Sequence, residues 1–133
     1  MTMPFPAFAI MLHNWAVHPG TYRPDPSVMT DFNLWTFNSR VFPAIQPMLV
    51  QRGERVRIRI GNLSMHDHPM HLHGMWSDLE TGDADFIPRK HTVIVQPGSK
   101  ISYLVTADAR GRWAYHCHLL YHMHGMFREV RVD

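Results

Sequence analysis

Apolar and polar positions alternate with period two along much of this chain, and long runs with helical periodicity are missing. The clearest case is Arg55–Ile60, where Val56, Ile58 and Ile60 point one way and Arg55, Arg57 and Arg59 the other. That is the pattern of a strand with one buried and one wet face. Similar patterns predict strands over Ala7–His13, Asp31–Phe37, Pro69–Trp76, His91–Val95, Lys100–Val105, Arg112–His118 and Phe127–Val132. Turn residues separate them: Pro19-Gly20, Pro24-Asp25-Pro26, Asn38-Ser39-Arg40, Gln51-Arg52-Gly53-Glu54, Pro97-Gly98 and Asp108 to Gly111. Leu79 to Asp85 reads as a loop. Helix is expected only in short form, around Ser27–Met29 or after His118. Some seven to nine short strands at this spacing predict an all-β Greek-key sandwich or barrel.

Composition narrows the picture. The chain has 133 residues, the length of one domain, and 45% hydrophobic against 18% charged residues makes it globular. The net charge of +2 is scattered, so the arginine run is read as a solvated strand face and not as a nucleic-acid surface. No stretch of 18 apolar residues suits a membrane helix. One cysteine excludes an intrachain disulfide framework. The apolar N-terminus lacks a basic leader region and carries Pro4 and Pro6, so it does not read as a signal peptide; a cytosolic chain and a mature fragment both fit.

Eleven His, ten Met and one Cys form a donor set that suits copper better than magnesium or calcium. The donors concentrate in two segments, His66-Asp-His-Pro-Met-His-Leu-His-Gly74 and His116-Cys-His-Leu-Leu-Tyr-His-Met-His-Gly-Met126. In the second segment Trp113, Tyr115 and Cys117 share one strand face, and the two aromatics belong in a core. Cys117 is therefore expected inside, with His116 and His118 outside. In the first, His71 and His73 share a face opposite Met70 and Leu72. Two His-X-His pairs are thus predicted on one outer surface, with a buried thiol behind them.

His122 and Met126 follow Cys117 by five and nine residues, so one tight loop can deliver a thiolate, an imidazole and a thioether to one metal. His68 can join from the other segment. Two His, one Cys and a weak axial Met are the donors of a blue-copper electron-transfer centre. Zinc accepts Cys and His as well, but a thioether in the fourth place argues against it. His13, His18 and His91 are read as structural or solvated, His66 and His124 as solvent-facing or supporting residues. Met65, Met70, Met75 and Met123 are read first as core filler, with a Cu(I) relay or a soft hydrophobic contact surface as the alternatives.

His68-Pro-Met-His-Leu-His-Gly74 and His116-Cys-His-Leu-Leu-Tyr-His122 resemble the two copper motifs of the last cupredoxin domain of multicopper oxidases. Arg112-Trp-Ala-Tyr continuing to Gly125-Met-Phe-Arg-Glu-Val130, and Thr30-Asp-Phe-Asn-Leu-Trp-Thr-Phe-Asn-Ser-Arg40, look like the bacterial copper-resistance branch. The resemblance covers roughly residues 30 to 132. It implies a cupredoxin-like (plastocyanin-like) domain over 1–133, with 1–29 an N-terminal strand and loop extension. It also implies that His68, Cys117, His122 and Met126 hold type 1 copper. His71 and His73 correspond to one type 2 and one type 3 ligand, and His116 and His118 to type 3 ligands. In the family, electrons enter at type 1 copper and pass through His-Cys-His to the trinuclear cluster, where oxygen becomes water. His71, His73, His116 and His118 are therefore the expected catalytic set.

Three departures bear on this. Gly125 and Met126 fall eight and nine residues after the cysteine, one fewer than usual in the family, a spacing that resembles azurin-type proteins. Met123 and His124 stand where copper-resistance oxidases often carry a proton-delivering carboxylate. The chain also supplies only half of the eight histidines that a trinuclear cluster needs. A two-fold dimer would present the same patch twice and complete the set; a three-fold assembly could place type 2 copper between neighbours, as in nitrite-reductase-like trimers; or the chain is a fragment of a longer oxidase. The expectation is a homo-oligomer (dimer or trimer) with copper at its interface, a small-molecule or Cu(I) electron donor, no nucleic-acid or membrane partner, and a periplasmic or exported location. The alternatives are a single-copper electron carrier, a copper-binding tolerance protein, and a remnant without turnover.

Overall fold

Among the residues that the computed structural model describes (6–21, 23–28, 32–119 and 125–133), the chain forms eleven strands and no helix. They are β1 (Ala7–Trp15), β2 (Leu34–Phe37), β3 (Met48–Val50), β4 (Arg55–Asn62), β5 (His68–Leu72), β6 (Ser77–Leu79), β7 (Arg89–Lys90), β8 (Thr92–Val95), β9 (Lys100–Thr106), β10 (Gly111–Cys117) and β11 (Phe127–Val132). One sheet runs β2-β1-β4-β9-β6-β7 and the other β3-β11-β10-β5-β8. From β4 onward the chain passes repeatedly from one sheet to the other, as Greek-key sandwiches do. Pairing is antiparallel except for β1 beside β4 and β3 beside β11.

Period two decides what lies between the sheets. Val56, Ile58 and Ile60 of β4 are buried together with Ile10 and Leu12 of β1 and Tyr103 and Val105 of β9. The other sheet contributes Met70, Leu72, Val93, Val95, Tyr115, Val130 and Val132. The arginines of β4 stand on the opposite face among carboxylates. Arg57 donates twice to Glu80, at 2.7 and 3.1 Å, and Arg55 and Arg89 both reach Asp78. The predicted turn after β2 has φ 52° at Asn38 and 64° at Ser39, the double left-handed turn of a two-residue hairpin. Asn38 Oδ1 secures it by accepting the Met11 amide at 2.7 Å.

Several boundaries differ from the expected ones. β1 continues to Trp15, and β4 runs on to Asn62, whose side chain takes the buried phase after Ile60. The segment expected over Pro69–Trp76 is β5 over His68–Leu72, because Gly74 turns the chain at φ 82°. Leu79, expected in a loop, is the last residue of β6. β3 was not expected at all. Of the short helices considered, Ser27 lies in a turn, while Met29 and residues 120–124 fall outside the described residues.

Candidate functional site: two donor sets on adjoining strands

The register of β5 against β10 builds the site. Tyr115 faces Leu72, His116 faces His71, and Cys117 faces Met70. The pairing extends at both ends: His73 N donates to Ala114 O at 2.9 Å and His118 N to Pro69 O at 2.7 Å. Residues directly opposite share a face. His71, His73, His116 and His118 therefore gather on the outer side, and Cys117 turns inward.

On the outer side, ring centroids lie 4.6 Å apart for His71 and His73, 5.1 Å for His73 and His116, 5.4 Å for His71 and His118, and 5.5 Å for His116 and His118. His116 points outward but is not solvated. It is only 4% exposed, because Phe127 of β11 stacks over it at 5.8 Å. Backbone carbonyls orient the rings. His71 Nδ1 donates to His91 O at 3.0 Å, and His116 Nδ1 donates to Cys117 O at 3.0 Å. A carbonyl only accepts, so each ring keeps its Nε2 lone pair. His116 Nε2 lies 3.0 Å from His73 Nε2. Burial, and then the neighbouring histidines, lower the pKa of His73; His71 is lowered by burial first, against the opposing His91 bond. Neutral imidazole is the ligand form.

On the inner side, Cys117 and His68 are both fully buried, with Sγ 3.4 Å from His68 Nδ1. Two ligands of one tetrahedral ion, with sulfur about 2.3 Å and nitrogen about 2.0–2.1 Å from it, stand about 3.5 Å apart. The pair therefore fits a shared metal. Cys117 N donates to Met126 O at 3.0 Å, and Met126 is fully buried. A thiol beside an imidazole in a dry interior, with the backbone of a buried methionine paired to the cysteine, is a donor set that fits copper. Burial pushes the Cys117 thiol up to about 11, so metal uptake must displace its proton. His122, with Met123 and His124, lies outside the described residues. Among the described residues, no three His, Cys, Asp or Glu side chains close on one point tightly enough to hold a metal alone.

Other residues shape the site; Trp113 is expected from the sequence as a core aromatic, whereas Trp76, Asn62 and Ser64 are not singled out there. Trp76 stacks on His91 at 3.7 Å, next to His71. Trp113 packs against Gly74, where a Cβ would come within 2.4 Å of the indole. Ser64 Oγ lies 2.6 Å from His68 Nε2 and 2.6 Å from Asn62 Oδ1. Asn62 had a legible signal: it continues the buried phase of Val56, Ile58 and Ile60 with a polar side chain.

A two-sheet sandwich with these inner and outer donor sets defines a cupredoxin domain. The chain belongs to the multicopper oxidase family, whose model matches residues 18–133 and whose cofactor is copper. It is 63% identical over 100 residues to copper resistance protein A of Pseudomonas syringae pv. tomato, and 62% identical over 100 residues to copper resistance protein A of Escherichia coli. Each match takes in 74% of this chain but 16% of the relative, so the chain spans about a sixth of these curated relatives. In fold it matches the blue copper oxidase of Nitrosomonas europaea with a TM-score of 0.80 at 23% identity, over 95% of this chain and 43% of that one. Among the described residues, no helix is long and apolar enough to cross a membrane.

Proposed function

We propose that residues 1–133 act as one cupredoxin unit of a copper-dependent oxidase, with an inner electron-transfer centre and an outer reaction centre completed at a homo-oligomer interface, in a dimer or trimer. His68, Cys117, His122 and Met126 hold the inner, type 1 centre. His71, His73, His116 and His118 are half of the outer, type 2 and type 3 set. Copper would supply one-electron transfer at the thiolate and reduction of oxygen, or of nitrite, among the imidazoles.

The observation that carries the reading is the opposition of the two sets across three consecutive residues. Cys117 faces inward, 3.4 Å from His68 Nδ1, and His116 faces outward, 3.0 Å from His73. The His116-Cys117-His118 backbone thereby joins the two sets covalently. The surroundings support a docked outer face. Thr92 and Ile94 continue that face from His71 and Pro69 across β8, and Ile94 is 61% exposed. Trp76, stacked on His91, is 45% exposed. His73 and His118 are themselves exposed beside this apolar surface, and exposed apolar surface next to polar groups marks an interaction site. A small-molecule or Cu(I) electron donor and a periplasmic or exported location belong to the same reading.

The test is copper content and mass in solution, measured on the copper-loaded chain with oxygen uptake on a phenolic or cuprous donor. The expected result is an oligomer with more than one copper per chain that consumes oxygen. His116→Ala should lower the copper count while the thiolate absorption persists. A monomer with one copper and no oxygen or nitrite turnover overturns the oxidase reading and leaves a carrier.

A further inference from the structure

We propose that Ser64, held by Asn62, is a positioning residue that fixes the tautomer of His68 and thereby turns its Nδ1 lone pair toward Cys117. The inference deepens the inner-centre reading and rests on it for its consequence, but the hydrogen-bond logic stands on this chain's own atoms.

The chain of donors and acceptors admits one direction. The carbonyl oxygens of Val95 and His66 can only accept. Asn62 Nδ2 lies 2.9 Å from the first and 2.8 Å from the second, so both amide protons point there. This fixes which end of the Asn62 amide is oxygen, and Oδ1 faces Ser64. Oδ1 accepts the Ser64 amide at 2.9 Å and the Ser64 hydroxyl at 2.6 Å. The other acceptor near Ser64 Oγ is His66 O at 3.1 Å. Asn62 Oδ1 carries no proton, so its 2.6 Å contact with Ser64 Oγ is made by the single hydroxyl proton, which is then not available to His68. What Ser64 Oγ then offers His68 Nε2, at 2.6 Å, is a lone pair. The proton between them belongs to the imidazole, so His68 is the Nε2–H form. Its Nδ1 carries the lone pair that lies 3.4 Å from Cys117 Sγ.

Burial makes this order binding. Asn62, Ser64 and His68 are 1%, 3% and 0% exposed, so bulk water does not compete for their protons. The arrangement is costly to build, because Asn62 occupies a strand position where an apolar side chain would pack with no polar group to satisfy. The outer histidines show the contrast. His71 and His116 are oriented by backbone carbonyls that accept their Nδ1 protons and leave the lone pair on Nε2. The inner histidine has the opposite tautomer, imposed by a side-chain relay. One short stretch, Asn62 to His68, thus carries both a prospective ligand and the device that aims it.

The test reads the ring nitrogens of the metal-free 133-residue chain by 15N NMR, with His68 assigned through His68→Gln. The wild type should show one His68 tautomer, protonated at Nε2. Ser64→Ala should admit the Nδ1–H form, and Ser64→Thr should restore the original. Cobalt(II), a spectroscopic probe for the thiolate site, should bind Ser64→Ala about ten- to a hundredfold more weakly, with its thiolate band moved, and should bind Ser64→Thr as the wild type. An Nδ1–H His68 in the wild type overturns the proposal, and needs no variant to fold. So does a Ser64→Ala chain whose tautomer and cobalt affinity are unchanged. Absence of any thiolate band with cobalt or copper in the wild type overturns the inner-centre reading instead, whichever tautomer is found.

Discussion

Replacing Gly74 by Ala should be among the more damaging single-methyl additions in this protein, and the structure separates the damage into two parts. Gly74 has φ 82°, a left-handed conformation that costs an L-residue roughly 1–2 kcal/mol. A Cβ there would also lie 2.4, 2.5 and 2.6 Å from three atoms of the Trp113 ring. The indole cannot swing away freely, because its Nε1 donates to Ala109 O at 2.9 Å. Overpacking of this kind costs about 1–3 kcal/mol. The sum is about 2–5 kcal/mol. Gly82 supplies the control, with φ 86° and nothing within 4 Å of an added Cβ. Gly82→Ala should therefore show the backbone part alone, about 1–2 kcal/mol. Urea unfolding of both variants measures the difference, with Gly74→Ala lowering the midpoint by on the order of 1–2 M. In a Trp113→Ala background the excess should vanish, and Gly74→Ala should cost no more than Gly82→Ala. Equal penalties for the two glycines, or an excess that survives removal of the indole, would refute the reasoning.

Three further outcomes are expected. Tyr103 and Tyr115 hydrogen-bond to each other in the core through their hydroxyls, and burial raises both pKa values; Tyr115→Phe strands the other hydroxyl at about 1–3 kcal/mol, while the double Phe variant costs less than the two single changes together, as thermal unfolding will report. Ser27 and His18 hydrogen-bond the Asp25 carboxylate and hold its pKa at about 2, below its ordinary 3.8. Folding therefore gains from Asp25 above about pH 4 and loses that gain as pH falls through about 2; carboxyl-carbon NMR should show the depressed midpoint, moved upward by Ser27→Ala. With its thiol raised to about 11, Cys117 in the metal-free chain should resist alkylation at neutral pH, and metal uptake should release a proton and tighten as pH rises; rapid modification of the folded chain would contradict the burial described.

What could be read before folding was whatever depends on local alternation. Trp113 and Tyr115 set the phase of β10, and the inward turn of Cys117 followed from it. The arginine face of β4 followed in the same way. What could not be read depends on partners distant in the chain. β3 has only three residues and exists by lying parallel to β11, with Met48 opposite Val130; nothing within Met48–Val50 announces it. His116 points outward as its position predicts, yet it is buried because Phe127 from another strand covers it. Ser64 and Asn62 look like ordinary turn residues until the fold brings them to His68. Asn62 alone left a trace, as a polar residue in step with Val56, Ile58 and Ile60.

The pairing of β5 with β10 restricts how this chain can change length. Shifting one strand by a single residue exchanges its two faces. An insertion within Gly111–Cys117 upstream of the cysteine would therefore exchange sulfur for nitrogen on both sides of the sheet at once, and no neighbouring side chain could compensate. Lengthening and shortening are confined to the connections, among them the interval from His118 to Met126, where the order of inside and outside has already been set by the strand before it.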